Sequence, residues 1–204
     1  MQAWGSGSRF DERRTELEPT KSGVVGLLAA ALGRDRAEPI ADLAALRMGV
    51  RVDSEGTLQY DYQTAQQVRT ADGRRADRPV ASRRYFLADA AFLVGLEGSD
   101  LSLLDKAHAA LARPRWALFL GRKSYVPSEP VFLPNGIREQ PLEEALAGYP
   151  ALVARPPSVY RYVLEASTGA LRMDQPIAPF SVRRFGARFV WVGTAAPGEV
   201  PHVY

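Results

Sequence analysis
The hydrophobic and polar positions along the chain predict a mixed set of helices and strands. Between Pro19 and Gly33, the sequence PTKSGVVGLLAAALG has apolar residues at Val24, Val25, Leu27, Leu28 and Leu32, interleaved with glycine and alanine. This predicts one short helix that lets a neighbouring element approach closely. Thr20 or Ser22 supplies an N-cap, and Gly33 a left-handed stop. Arg34–Leu46 is a polar linker with a short helical pattern. Met48, Val50 and Val52 alternate with Gly49, Arg51 and Asp53, as do Leu58, Tyr60 and Tyr62 with Gln59, Asp61 and Gln63. Two strands joined at Ser54-Glu55-Gly56 into a hairpin are expected. Val80–Tyr85 leads into Phe86–Leu96, which predicts a long strand. Leu101–Ala112 is an amphipathic helix ended by Pro114. Trp116–Leu120 is expected to be a short buried strand, Leu142–Tyr149 a short helix, and Val159–Glu165 and Ala187–Val192 strands. Residues Met1–Glu18 carry Gly5 and Gly7 without a preceding strand and are expected to form a loop.

The order helix, strands, helix, strand fits an α+β, ferredoxin-like unit of the βαββαβ type. Its first strand should precede the first helix, where this chain has a glycine-containing loop, so that strand is expected to be missing or truncated. The fold expectation divides the chain into residues 1–125, a domain with an insertion at about 65–85, and residues 126–204, a β-rich C-terminal region.

Composition narrows the chemistry. There is no cysteine among 204 residues, so disulfides, thiolate metal sites and cysteine nucleophiles are excluded. The two histidines, His108 and His202, do not suggest a zinc site, and no cofactor is expected. No apolar run reaches membrane-spanning length and no signal peptide is evident at the start, so a cytoplasmic protein without a membrane partner is expected.

Charge changes the picture more. The formal net charge is +3. Between Val68 and Arg84 stand six arginines (Arg69, Arg74, Arg75, Arg78, Arg83 and Arg84) against Asp72 and Asp77, a local +4, so the remainder of the chain sums to −1. Ala71-Asp72-Gly73-Arg74 places a turn in this segment, which has too few apolar residues to pack on a core. It is either a solvated loop or a nucleic-acid arm that gains affinity by displacing counterions. The helix entrance at Lys21, Ser22 and Gly23 offers free N–H groups and a cation to a phosphate, with Arg13 and Arg14 nearby. Tyr62 and Gln63 lie on a strand whose aromatic face can stack bases or pack as sheet surface. Gly121-Arg122-Lys123-Ser124 lacks the first glycine of a P-loop, which excludes triphosphate binding but leaves a phosphate contact open.

Several of these segments together resemble a known family. Met1–Gly5 (MQAWG), Pro19–Leu28 (PTKSGVVGLL), Asp61–Thr64 (DYQT), Arg84–Ala90 (RYFLADA) and Gly121–Ser124 (GRKS) occur in the order found in the CasD subunits of Cascade, the type I-E CRISPR surveillance complex. These belong to the RAMP superfamily. The resemblance implies an RRM-like domain with a basic hairpin, the thumb, inserted between two strands. It implies a non-catalytic subunit that binds and caps the 5′ handle of the guide RNA (crRNA). Its partners would be the backbone RAMP subunit and the large subunit, with target DNA met indirectly through the complex. The family normally has a short first strand before MQAWG. On this resemblance, the RNA-binding residues are Arg13, Arg14, Lys21, Ser22, Gly23, Tyr62, Gln63, Arg69, Arg74, Arg75, Arg78, Arg83, Arg84, Arg122, Lys123 and Ser124.

Two other readings stay open. A related branch of the superfamily cleaves precursor guide RNA without a metal, and Lys106 and His108 would be the acid–base candidates here, although His108 falls on an apolar helix face. A structural protein whose basic arm docks on an acidic partner is the third.

Overall fold
The computed structural model describes residues 1–5, 7, 11–69, 72–74 and 78–203. The protein is α+β. A five-stranded sheet carries helices on both faces, and a three-stranded sheet extends from it. The strands are β1 (Glu12–Arg13), β2 (Arg47–Ser54), β3 (Thr57–Ala65), β4 (Val80–Ala88), β5 (Ala91–Glu97), β6 (Tyr160–Ala166), β7 (Ala170–Pro176) and β8 (Phe185–Ala195). The helices are α1 (Lys21–Leu32), α2 (Ala41–Ala45), α3 (Leu101–Ala112) and α4 (Leu142–Gly148). The large sheet has the order β5-β2-β6-β8-β7 and the small one β1-β4-β3. Strands β6 to β8 join β2 in one sheet, so residues on either side of position 125 contribute strands to it.

Helix α1 begins and ends where its sequence requires. The Thr20 side chain accepts from the Gly23 N–H, and Gly33 sits at φ 75°, closing the last turn. Val24, Met48, Val50, Val52, Val163 and Val190 pack between α1 and the sheet. Leu142 and Leu146 of α4 cover the opposite face with Leu93, Tyr160, Tyr162 and Leu164. Strand β2 is therefore buried on both sides. The polar half of its alternation is held by a buried fork in which Arg51 donates to Asp53 at 2.8 and 2.9 Å. Arg51 also donates to the carbonyls of Leu146, Tyr149 and Pro150.

Four sequence expectations are corrected. First, β2 and β3 do not pair into a hairpin. They are successive parts of one arm, and β4 and β5 form the other. Ser54 faces Ala91 and Thr57 faces Ala88, so one ladder continues through both sheets. Second, the long strand predicted over Phe86–Leu96 is broken at Asp89, which has φ 56°. Gly56, at φ 67°, makes the matching bend in the first arm. Third, Trp116–Leu120 is not a strand, and Trp116 is 43% exposed. Its segment is tied to the end of α1 by Arg115 and Trp116 N–H groups donating to Ala31 and Ala30. Fourth, β7 forms in a stretch expected to be loop, where it pairs with β8.

Candidate nucleic-acid interface
The N-terminal segment is placed by its own polar groups. Gln2 exchanges backbone hydrogen bonds with Leu87 at 2.9 and 2.8 Å, and its side chain donates to the Ala90 carbonyl at 2.7 Å. The Trp4 N–H donates to Thr15 Oγ1, and its indole N–H to the Gln2 side chain. Trp4 is thereby buried against the start of α1, where a Cβ on Gly23 would stand 2.8 Å from the indole. Gly121 meets the same segment from the other side. It has φ 85°, and a Cβ there would lie 1.7 Å from the Ala3 carbonyl oxygen. Only glycine fits this approach. Ala3, Phe86 and Tyr125 form a small apolar cluster that anchors the Gly121–Ser124 turn to β4.

This arrangement brings three of the predicted cations together. Arg13 is in register with Arg84 on the adjacent strand. The Arg122 guanidinium donates to the Arg13 carbonyl at 2.9 Å and to the Tyr125 hydroxyl at 3.2 Å. Burial, followed by repulsion from Arg13 and Arg122, holds the Arg84 guanidinium below its ordinary pKa, with Asp61 acting in the opposite direction. Like charges held together disfavour each other, and a bound anion relieves that repulsion. Gln63 shares this face of β3 and donates to Asp61. Lys123 and Ser124 are exposed on the turn.

Next to this cluster is a cleft of about 260 Å³ lined by Trp4, Ser22, Gly23, Arg36, Phe180, Arg183 and Gly121 among others. Arg36, Phe180 and Arg183 carried no signal in the sequence, because they come from the α1–α2 and β7–β8 connections. Arg36 donates to the Phe180 carbonyl at 3.1 Å, which pins one connection to the other. Arg183 has φ 55°, uncommon for a residue with a side chain.

Lys21 departs from expectation. Its side chain is 1% exposed, and its ammonium donates to both Glu165 oxygens at 3.0 and 2.8 Å. Its backbone N–H donates to Asp174 at 2.7 Å, and Asp174 is held by buried Arg188 at 2.6 and 2.9 Å. A carboxylate of the protein therefore already occupies part of the helix entrance, and the cation faces inward. Burial lowers the Lys21 pKa, while the Glu165 hydrogen bond opposes that shift. Ser22 and Gly23 remain at the cleft.

The other predicted residues divide by position. Tyr62 and Arg83 share the opposite face of the β3–β4 hairpin. Arg69, Arg74 and Arg78 are exposed toward its tip, with Arg74 near Asp72 at 3.7 Å. Arg75 lies outside the described residues. Arg14 is ion-paired with Glu12 at 3.2 Å. Lys106 is exposed on α3, whereas His108 Nε2 is 2.8 Å from the Leu133 carbonyl and its ring packs on Phe132. His108 ties the loop after residue 126 to α3.

A family model described as CRISPR-associated protein (Cas_Cas5) matches residues 1–191. The chain belongs to this Cas5 family. Among curated relatives, it is 31% identical over 163 residues to the CRISPR system Cascade subunit CasD of Escherichia coli (strain K12), covering 73% of this chain and 72% of that one. A solved structure described as a crystal structure of Cas protein superposes with a TM-score of 0.82 at 54% identity, covering 99% of this chain and 93% of the other. A second, described as a CRISPR RNA-guided surveillance complex, gives a TM-score of 0.83 at 31% identity, covering 96% and 86%. In this Cas5 chain no helix among the described residues is long and apolar enough to cross a membrane.

Proposed function
We propose that this Cas5-family chain is a non-catalytic, RNA-binding subunit of a type I-E Cascade complex, and that it holds the 5′ handle of the guide RNA. The observation that carries the reading is the convergence of Arg13, Arg84 and Arg122 beside the cleft at the α1 entrance. These cations come from three separate parts of the sequence, and among the described residues none of the three is in a salt bridge. A single-stranded phosphate backbone is a fitting counterpart, with splayed bases reaching the adjoining cleft. The names borne by the relatives, a Cascade subunit and an RNA-guided surveillance complex, agree with this role. The partners are then the guide RNA and the neighbouring backbone and large subunits of the complex.

The β3–β4 hairpin, with its exposed Arg69, Arg74 and Arg78, is the thumb in this reading. The five-stranded sheet with α1 and α3 is the ferredoxin-like RAMP unit, and residues 126–204 complete its sheet. Strand β5 is the edge of that sheet, paired with β2 alone among the described residues. Its outer edge is where the first strand of a βαββαβ unit would pair.

The test is the salt dependence of RNA binding by the chain and by its Arg13→Gln/Arg84→Gln/Arg122→Gln variant. Each phosphate neutralised on a single strand contributes about 0.7 to the slope of log K against log salt. Three contacts contribute about 2, so from 50 to 200 mM salt the wild type should lose roughly 18-fold more affinity than the variant. Equal slopes would remove the cluster from the interface.

A further inference from the structure
The two faces of the β3–β4 hairpin carry different chemistry. On one, Asp61 and Gln63 of β3 face Arg84 and Ser82 of β4, beside the arginine cluster. On the other, Leu58, Tyr60, Tyr62 and Thr64 face Leu87, Tyr85, Arg83 and Ala81. Tyr60 and Tyr62 are 60% and 61% exposed, unusually bare for two large rings in successive same-face positions. Tyr60 lies 5.9 Å from the Tyr85 ring at 49°, and the Arg83 guanidinium sits 5.9 Å over the Tyr60 ring. This row has more order than a scatter of surface apolar residues.

The charge on this face selects the occupant. None of the eight facing β3 and β4 residues is a carboxylate. The residue of β1 in register with Arg83 is Glu12, which is ion-paired with Arg14. Arg83 is thus the charged side chain among the eight facing positions, and the nearest carboxylate in register with it already has an arginine partner. A surface of tyrosine rings and arginine with positive charge complements a polyanion whose units each present a π-face, which is single-stranded nucleic acid. Positions two apart on a strand are separated by about 6.8 Å, twice the roughly 3.4 Å rise between stacked bases. Each ring can therefore take its own unstacked base. Strand β3 is the outer strand of its sheet, so a chain gripped by the arginine face can cross its edge to reach this one.

We propose that the Tyr60–Tyr62–Arg83 face is a stacking platform for unpaired bases of the bound RNA, while the opposite face of the same hairpin grips phosphates. The proposal rests on the RNA-binding reading above. It adds that the hairpin divides base and backbone contacts between its two sides.

The full chain should be titrated with a synthetic single-stranded RNA copying the guide, carrying 2-aminopurine at one position at a time. Tyr60→Ala and Tyr62→Ala should each weaken binding by roughly 5- to 150-fold, the range for loss of one base–aromatic stack. The salt slope should stay unchanged, because no phosphate contact is removed. The fluorescence quenched by stacking should recover at one or two RNA positions. Tyr60→Phe and Tyr62→Phe keep the π-face and should bind as wild type, which separates stacking from loss of fold. Wild-type affinity and quenching in the alanine variants would overturn the platform while leaving the RNA-binding reading intact. So would equal loss in the phenylalanine variants, which would assign the hydroxyls instead. Intact RNA binding with lost association of a partner subunit would make the face a protein contact and also overturn the proposal. No binding by the wild-type chain would overturn the RNA-binding reading itself.

Discussion

Lys21→Met is the substitution that best separates a structural cation from an RNA contact. The ammonium is buried and bonded to both oxygens of Glu165, so methionine removes one partner of a buried pair. Breaking such a pair typically costs about 3–5 kcal/mol, because the remaining charge is left uncompensated. Two features place the cost at the lower end. The Glu165 side chain keeps 23% of its exposure, and Arg188 stands 3.8 Å from it as an alternative partner. A loss of about 3 kcal/mol is expected. Unfolding entropy near 2.1 cal/mol/K per residue gives about 0.43 kcal/mol/K for a chain of this length, so Tm should fall by about 7 °C. The assay is thermal unfolding of both proteins by circular dichroism, followed by RNA titration well below either Tm at several salt concentrations. The salt slope of the variant should match wild type. An unchanged Tm together with a slope reduced by about 0.7 would refute this reasoning, because the ammonium would then be meeting a phosphate.

Two further outcomes follow from the geometry. Gly121→Ala forces a side chain into a left-handed position and against the Ala3 carbonyl, costing roughly 1–3 kcal/mol in strain alone; a Tm lowered by at least about 2 °C is expected, and an unchanged Tm would show that the Ala3 segment yields freely. Glu143 is bonded to Arg47, which holds its carboxyl below the ordinary carboxylate range. A folded-state pKa below the unfolded value near 4.3 adds stability that is present above that pH and lost as pH falls through the folded value. Urea unfolding between pH 6 and pH 3 should therefore show a shallower loss for Glu143→Gln than for wild type, and parallel curves would exclude the linkage.

Much of the fold is legible in the sequence where one local signal decides it. Thr20 and Gly33 bound α1 because capping is a property of a few consecutive residues. The basic segment between β3 and β4 is visible as a charge count. The hairpin expected at Ser54–Gly56 fails because periodicity identifies strands but not their partners. Left-handed Gly56 and Asp89 bend both arms of one long ladder at the same level, and only the pairing of Ser54 with Ala91 reveals it. The proposed phosphate site is partly legible. Arg13, Arg84 and Arg122 are recognisable as cations, but their convergence depends on Ala3, Phe86 and Tyr125 packing together. Lys21 looks like an entrance cation because nothing nearby in sequence announces Glu165, a residue 144 positions away. Arg36, Phe180 and Arg183 are invisible for the same reason, since the cleft they line is made by two connections that meet only in three dimensions.

The most direct measurement is to purify the chain after co-expression with its genomic neighbours and to sequence the RNA that accompanies it. The account predicts short RNAs that share one repeat-derived 5′ end, and their loss when Arg13, Arg84 and Arg122 are all replaced by glutamine. RNA of random sequence, or a wild-type preparation free of RNA, would contradict the claim that this face holds the 5′ handle of a guide.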